Sequence, residues 1–143
     1  MALKGINAYK KGSLKQDIAN ADPHKITLML MQGALDRMAY AKGNMERKDF
    51  ESKAENLSRV TAIFVSLRDS LDMKSGGEIS DNLFSLYDYM IQRVIDANVQ
   101  NSLLIMDEVT NLLLPIKNAW AQIPEAAKQE AYAIQRQNQQ AAM

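Results

Sequence analysis

Residues 79–99 read ISDNLFSLYDYMIQRVIDANV, and at helical spacing they carry two apolar rows. One row is Ile79, Leu83, Leu86, Met90, Val94 and Ala97; the other is Phe84, Tyr87, Ile91 and Ile95. A helix on the outside of a bundle needs one apolar stripe, so a helix with two must be covered on two sides. The first row is expected to meet the rest of the chain. Three covers compete for the second: the final helices of the chain, a second copy in a homodimer, or an amphipathic segment of a partner with anchors about one turn apart.

Upstream, Met73-Lys74-Ser75-Gly76-Gly77 holds the only glycine pair and ends the preceding pattern. Before it, Phe50, Ala54, Leu57, Val60, Phe64, Leu67 and Leu71 recur at helical spacing, with Glu51, Lys53, Glu55, Arg59 and Arg68 on the other face. Asp49 is placed to cap this helix, after a turn at Glu46-Arg47-Lys48. Asp22-Pro23 marks an earlier helix start, with a capping carboxylate and then a residue that needs no N–H partner. That helix is expected to run to about Met45, with Leu28, Met31, Leu35 and Met38 in one row and Leu30, Ala34, Ala41 and Met45 beside it. Gly33 inside it costs up to ~1 kcal/mol against Ala, which a close helix approach would justify.

Downstream, Asn98 to Asn101 reads as a polar connection, and Asn101 or Ser102 can cap a fourth helix. Its core row is Ile105 or Met106, Val109, Leu112 or Leu113, Ile116, Trp120 and Ile123. Pro115 removes one hydrogen bond and presses on the carbonyl of Asn111, yet the apolar spacing continues, so one kinked helix is expected. The fold class that follows is all-α: an antiparallel four-helix bundle over residues 22–123. Residues 124–143, rich in Ala and Gln with Tyr132 and Ile134 as anchors, read as a weakly docked helical tail that frays after about Gln135. Residues 1–21 read as a mobile arm. Its lysines are interleaved with Ile6, Tyr9, Leu14 and Ile18, the sparse apolar contacts that a reversible latch needs.

At 143 residues the chain is one domain, large enough to need no covalent staple. Cysteine is absent, so there is no disulfide, thiolate metal site or Cys nucleophile. Seventeen basic residues balance seventeen acidic ones, which leaves no global field for nucleic acid or an anionic membrane. No apolar run approaches the ~20 residues of a membrane span, and the opening MALKGINAYKKGSLK lacks the apolar centre of a secretory signal. A soluble cytoplasmic protein is expected. The nine methionines suit irregular core gaps or adaptable binding surfaces.

Catalytic signals are lacking. The lone histidine, His24, is in a first helical turn rather than mid-helix, and its neighbour is Lys25. That placement argues against a phosphotransfer histidine and for a surface residue beside a capped terminus. One histidine cannot supply the two Glu-x-x-His pairs of a di-iron bundle, and Gly76-Gly77 is not followed by the Lys and Ser/Thr of a phosphate loop. No enzyme, metal or cofactor is expected.

Several stretches together resemble the FliS-type flagellar export chaperones. They are Ala8-Tyr9-Lys10, Asp22-Pro23-His24-Lys25 leading into Leu28 to Leu35, Ser70-Leu71-Asp72-Met73, Gly76-Gly77-Glu78-Ile79, Asn82-Leu83, Leu86-Tyr87-Asp88-Tyr89-Met90, Arg93, Ala97-Asn98, Asp107-Glu108-Val109 and Ala119-Trp120. The resemblance implies a small cytosolic helical bundle without cofactor or catalytic residues. It implies binding to the disordered C-terminal region of flagellin, protection against early polymerisation, and delivery to the flagellar export gate. It also implies that the N-terminal segment carrying Ile6 and Tyr9 lies against the apolar groove. With the apolar pattern, it makes Ile6, Tyr9, Leu14, Ile18, Phe84, Tyr87, Ile91, Ile95, Met106, Val109 and Leu113 the expected partner-binding residues. The alternative function is a non-catalytic adaptor that self-associates through the same face.

Overall fold

The computed structural model describes residues 22–142, apart from the side chains of Gln135, Asn138, Gln139, Ala141 and Ala142. The arm expected over residues 1–21, with Ile6, Tyr9, Leu14 and Ile18, lies outside the described residues. Five helices follow in order: α1 (Pro23–Glu46), α2 (Phe50–Asp69), α3 (Gly77–Gln100), α4 (Leu103–Ala121) and α5 (Glu125–Ala142). Three of the starts are set by a capping side chain. The Asp22 carboxylate accepts the Lys25 N–H at 2.8 Å, Asp49 accepts that of Ser52 at 3.3 Å, and the Ser102 hydroxyl accepts that of Ile105 at 3.2 Å. Asn101 is instead the left-handed residue that ends α3, at φ 50°. Pro115 lies inside α4, which continues through it as one helix.

The helices pack as a ring, α1 on α2, α2 on α3, α3 on α4 and α4 on α1. Contacts near opposite ends make neighbours antiparallel. Arg68 near the end of α2 pairs with Asp88 in the first half of α3, and Lys53 near the start of α2 reaches Asn98 near the end of α3. Likewise His24 at the start of α1 meets Trp120 at the end of α4, while Lys42 near the end of α1 pairs with Asp107 near the start of α4.

The core is filled by Met31, Ala34, Met38, Ala41 and Met45 of α1, Leu57, Val60, Phe64 and Leu67 of α2, Tyr87, Met90, Val94 and Ala97 of α3, and Ile105, Met106, Val109 and Leu113 of α4. Five methionines are therefore core fillers. In α2 the first turn differs from the apolar pattern. Phe50 and Ala54 are exposed and Lys53 is buried, donating from Nζ to the Asn98 carbonyl at 3.0 Å and to the Asn101 amide oxygen at 3.2 Å. Its ammonium also lies 4.9 Å from the centre of the Phe50 ring. An ammonium at the C-terminal end of a helix meets the negative end of the macrodipole, which favours this burial.

The link between α2 and α3 uses its glycines differently. A Cβ on Gly76 would lie 1.6 Å from Ser80 Oγ and 2.7 Å from the Asp72 carbonyl, and Gly77 has φ +54°. A Cβ on Gly33 would meet only Ile63 Cδ1 at 3.6 Å, an ordinary contact, so no close approach demands glycine there. Gly33→Ala is therefore expected to raise stability by up to ~1 kcal/mol. Gly76→Ala is expected to lower it by about 1–3 kcal/mol. Urea denaturation midpoints of the two variants check both signs.

Candidate partner-binding site

The two apolar rows of α3 lie side by side and merge into one broad stripe. Its buried line is Ser80, Tyr87, Met90, Val94 and Ala97, so Tyr87 is an inner residue rather than an outer one. Ile79, in the first turn, is 73 % exposed. The edge of the stripe that faces α2 stays outside. Phe84 is half-buried, with the Arg68 guanidinium 5.5 Å from its ring centre. Arg68 is held there by Asp88 at 2.7 Å and Asp69 at 3.1 Å. Ile91 is half-buried and packs against the core, and Ile95 is 45 % exposed.

Along that edge, Leu57, Ser58, Thr61, Val94, Ile95, Asn98 and Val99 line a groove of about 300 Å³ between α2 and α3. Val99, at its rim, is 81 % exposed. Ser58 and Thr61 let it form, because small side chains on α2 leave space between the helices; the Thr61 hydroxyl is turned back onto the Leu57 carbonyl at 3.0 Å. Of the expected binding residues among those described, the structure brings only Ile95 to this groove. Met106, Val109 and Leu113 are in the bundle interior, with no exposed surface, because the α4 stripe containing them faces the core. Tyr87 is buried with them, so these four expected binding residues present almost no surface in this structure. Reading Asn98 to Asn101 as a polar connection hides Val99, which is still helical and apolar.

On the α4 side of α3 the surface is polar and braced. Arg93 donates to Glu108 at 2.8 Å and to Asp96 at 3.1 Å, and the Tyr89 hydroxyl donates to Glu108 at 3.0 Å. Leu104 stands exposed beside this network.

At the end of the bundle where Asp22 enters, a cavity of about 320 Å³ is lined by Pro23, His24, Thr27, Leu67, Ser70, Leu71, Asp72, Ser80, Tyr87 and Trp120, with Ala131 and Tyr132 of α5 closing one side. His24 is not the surface residue expected: it is 5 % exposed. Its ring stacks on Trp120 at 5.3 Å between centroids and donates from Nε2 to the Trp120 carbonyl, so Nε2 carries a proton. Trp120 Nε1 donates in return to the His24 carbonyl at 3.1 Å. The hydroxyl of Tyr132 accepts the His24 backbone N–H at 2.9 Å and lies 3.5 Å from Asp22, which ties α5 to the start of α1. The Pro23-His24 neighbourhood could not be read as a clasp from sequence, since Trp120 is 96 residues away.

This bundle, with an apolar groove on one edge, can now be set beside known proteins. Residues 5–127 match the family model described as "Flagellar protein FliS". The chain belongs to the FliS family. It is 40% identical over 119 residues to flagellar secretion chaperone FliSB of Pseudomonas aeruginosa, covering 83% of this chain and 94% of that one. It is 40% identical over 119 residues to flagellar secretion chaperone FliS of Vibrio cholerae, covering 83% and 88%. The Salmonella typhimurium FliS gives 40% over 129 residues, covering 89% and 96%. The FliS match takes in all four bundle helices and stops in the first turn of α5.

Titration gives two checks on this geometry. Burial pushes the Tyr87 hydroxyl up from 10.0 to about 12. A raised acid is bound more firmly in the folded state, so its contribution is complete below the unfolded value and lost as pH rises through the folded one. Stability is expected to fall between pH 10 and about 12, less steeply in Tyr87→Phe. Four carboxylates are shifted down from ordinary values of 3.8 (Asp) and 4.5 (Glu): Asp22 by the Lys25 N–H, Asp72 by the Ser75 N–H, Glu108 by Arg93 and Glu125 by the Gln129 amide. Their contribution is present above those values and lost as pH falls below them. Urea midpoints measured from pH 7 to pH 3 are therefore expected to decline through the carboxylate range.

Proposed function

We propose that this protein is a cytoplasmic export chaperone, not an enzyme, that holds the disordered C-terminal region of flagellin. In this reading it prevents early polymerisation and delivers its guest to the flagellar export gate. The observation that carries the reading is the α2–α3 groove, an apolar edge with Ile95 and Val99 left in solvent. Membership of a family of flagellar secretion chaperones supports it.

The physics of such a guest agrees with a groove rather than a closed pocket. A disordered segment that folds on binding must be ordered as it binds, so its gain has to come from extended apolar contact. Burying ~1,000 Å² of apolar surface gives on the order of 25 kcal/mol gross, most of it offset by ordering and association costs. The expected binding residues Phe84, Ile91 and Ile95 remain part of this proposal, joined by Val99. The expected arm residues Ile6, Tyr9, Leu14 and Ile18 would gate the same surface.

Mixing the protein with intact flagellin and with flagellin lacking its C-terminal region tests the proposal. Binding to the intact protein alone is expected; equal binding to both would overturn it. Ile95→Asp is expected to weaken binding at least about tenfold, the effect of losing ~1.4 kcal/mol, while stability stays within about 0.5 kcal/mol. Sedimentation at several concentrations reads the rival outcome. If Ile95→Asp abolishes a dimer and leaves flagellin binding intact, the groove is a self-association face.

A further inference from the structure

The apolar edge of α3 is crossed by a charged pair. Phe84, Asp88, Ile91 and Ile95 follow at spacings of four, three and four, so one carboxylate sits in the same stripe as three apolar residues. On α2, Ser58, Thr61, Val65 and Arg68 share a stripe in the same way. Arg68 reaches across from α2 and pairs with Asp88 at 2.7 Å, and among the described residues this is the only ion pair between the two helices. The guanidinium lies 5.5 Å from the centre of the Phe84 ring and is held from its own helix by Asp69 at 3.1 Å. The open groove ends short of this pair: Thr61 and Ile95 are among its walls, and neither Phe84 nor Arg68 is. The cation over the Phe50 ring, Lys53, is buried and bonded to the end of α3, so it is a fixture. Arg68 differs, because both of its carboxylates are exposed. Exposed ion pairs and exposed cation–ring contacts are individually weak.

We propose that the Arg68–Asp88 pair is a movable crossbar over the α2–α3 edge: the guest lifts it, and an apolar side chain of the guest replaces the guanidinium on the Phe84 ring. The inference rests on the guest-binding reading above and deepens it, since opening joins Phe84 to Ile91, Ile95 and Val99 in one strip. At the rise of an α-helix, the strip from Phe84 to Val99 is about 22 Å long, or about four turns. Its apolar residues recur one to two turns apart, the spacing of anchors that an amphipathic helix lays into a groove. The occupant is thus an amphipathic helical segment of the flagellin C-terminal region. Lifting the crossbar gives up weak surface contacts, and burying an aliphatic side chain against the ring gains more. Closed, the pair keeps a charge over the largest apolar side chain of the edge while no guest is bound.

The full chain is titrated with intact flagellin. Asp88→Asn, which breaks the crossing pair at constant size, is expected to tighten binding about three- to fivefold, the effect of removing one exposed ion pair. Arg68→Gln, which removes the cation itself, is expected to tighten it at least as much. The two variants move the net charge in opposite directions, so a general charge effect would shift them oppositely. In a Phe84→Ala background neither is expected to help, because the ring that the crossbar covers is gone. Raising NaCl from about 0.05 to about 0.5 M is expected to narrow the gap between wild type and Arg68→Gln, since salt screens exposed pairs. Unchanged or weaker binding by either charge variant, a gain that survives Phe84→Ala, or a gap indifferent to salt overturns the crossbar and leaves the groove reading intact. If neither wild type nor variant binds flagellin, the proposed function itself falls and the crossbar with it. Should Phe84→Ala fail to fold, seen by its melting curve, the two charge variants decide.

Discussion

Everything at the surface of this bundle follows from the limited arc that α3 can bury. With α2 on one side and α4 on the other, α3 turns Tyr87, Met90, Val94 and Ala97 to the centre, and among the described residues no other helix packs extensively on the edge of its stripe. The leftover apolar atoms are treated in two ways. Phe84 is shielded by a guanidinium that two carboxylates hold in place. Among the described residues Ile95 and Val99 have no such cover, and the small residues Ser58 and Thr61 opposite them turn the edge into a groove. The boundary between sealed and open surface therefore falls partway along one helix.

The ring of helices closes where α1 meets α4. At one end His24 and Trp120 exchange two hydrogen bonds and stack, and at the other Lys42 pairs with Asp107. These are polar contacts at the ends of a methionine-rich interior. Methionine packs adaptably and specifies geometry weakly, so directional end contacts help to fix the register that apolar packing alone leaves loose. Tyr132 uses the same junction to seat α5, which connects the tail to the bundle through a main-chain group of α1.

Helix boundaries were legible because they are local chemistry: Asp22-Pro23, Asp49 and Ser102 each cap the helix that follows. Core faces of α1 and α4 were legible from period alone. The two-row reading of α3 placed Tyr87 outside and Ile79 inside, because spacing along one helix does not reveal where its neighbours centre their contact. Phe50 and Lys53 exchanged places for a different reason: the carbonyls at the end of α3 attract an ammonium, and that attraction is invisible within α2. His24 and Trp120 required a contact across nearly the whole chain. Val99 was obscured by its polar neighbours, although α3 continues past it to Gln100.

Lys53 gives the groove an unusual foundation. The ammonium is hidden beneath the α2–α3 edge, and its recorded partners are a peptide oxygen, a side-chain amide and a ring face, none of which carries a formal charge. Mobile ions screen charge–charge attraction most strongly at exposed sites, and a carbonyl has no proton to gain at mild acidity. The end of the cleft nearest Val99 is thus fastened by something that neither brine nor weak acid readily loosens, while the ion pairs elsewhere on the molecule answer to both.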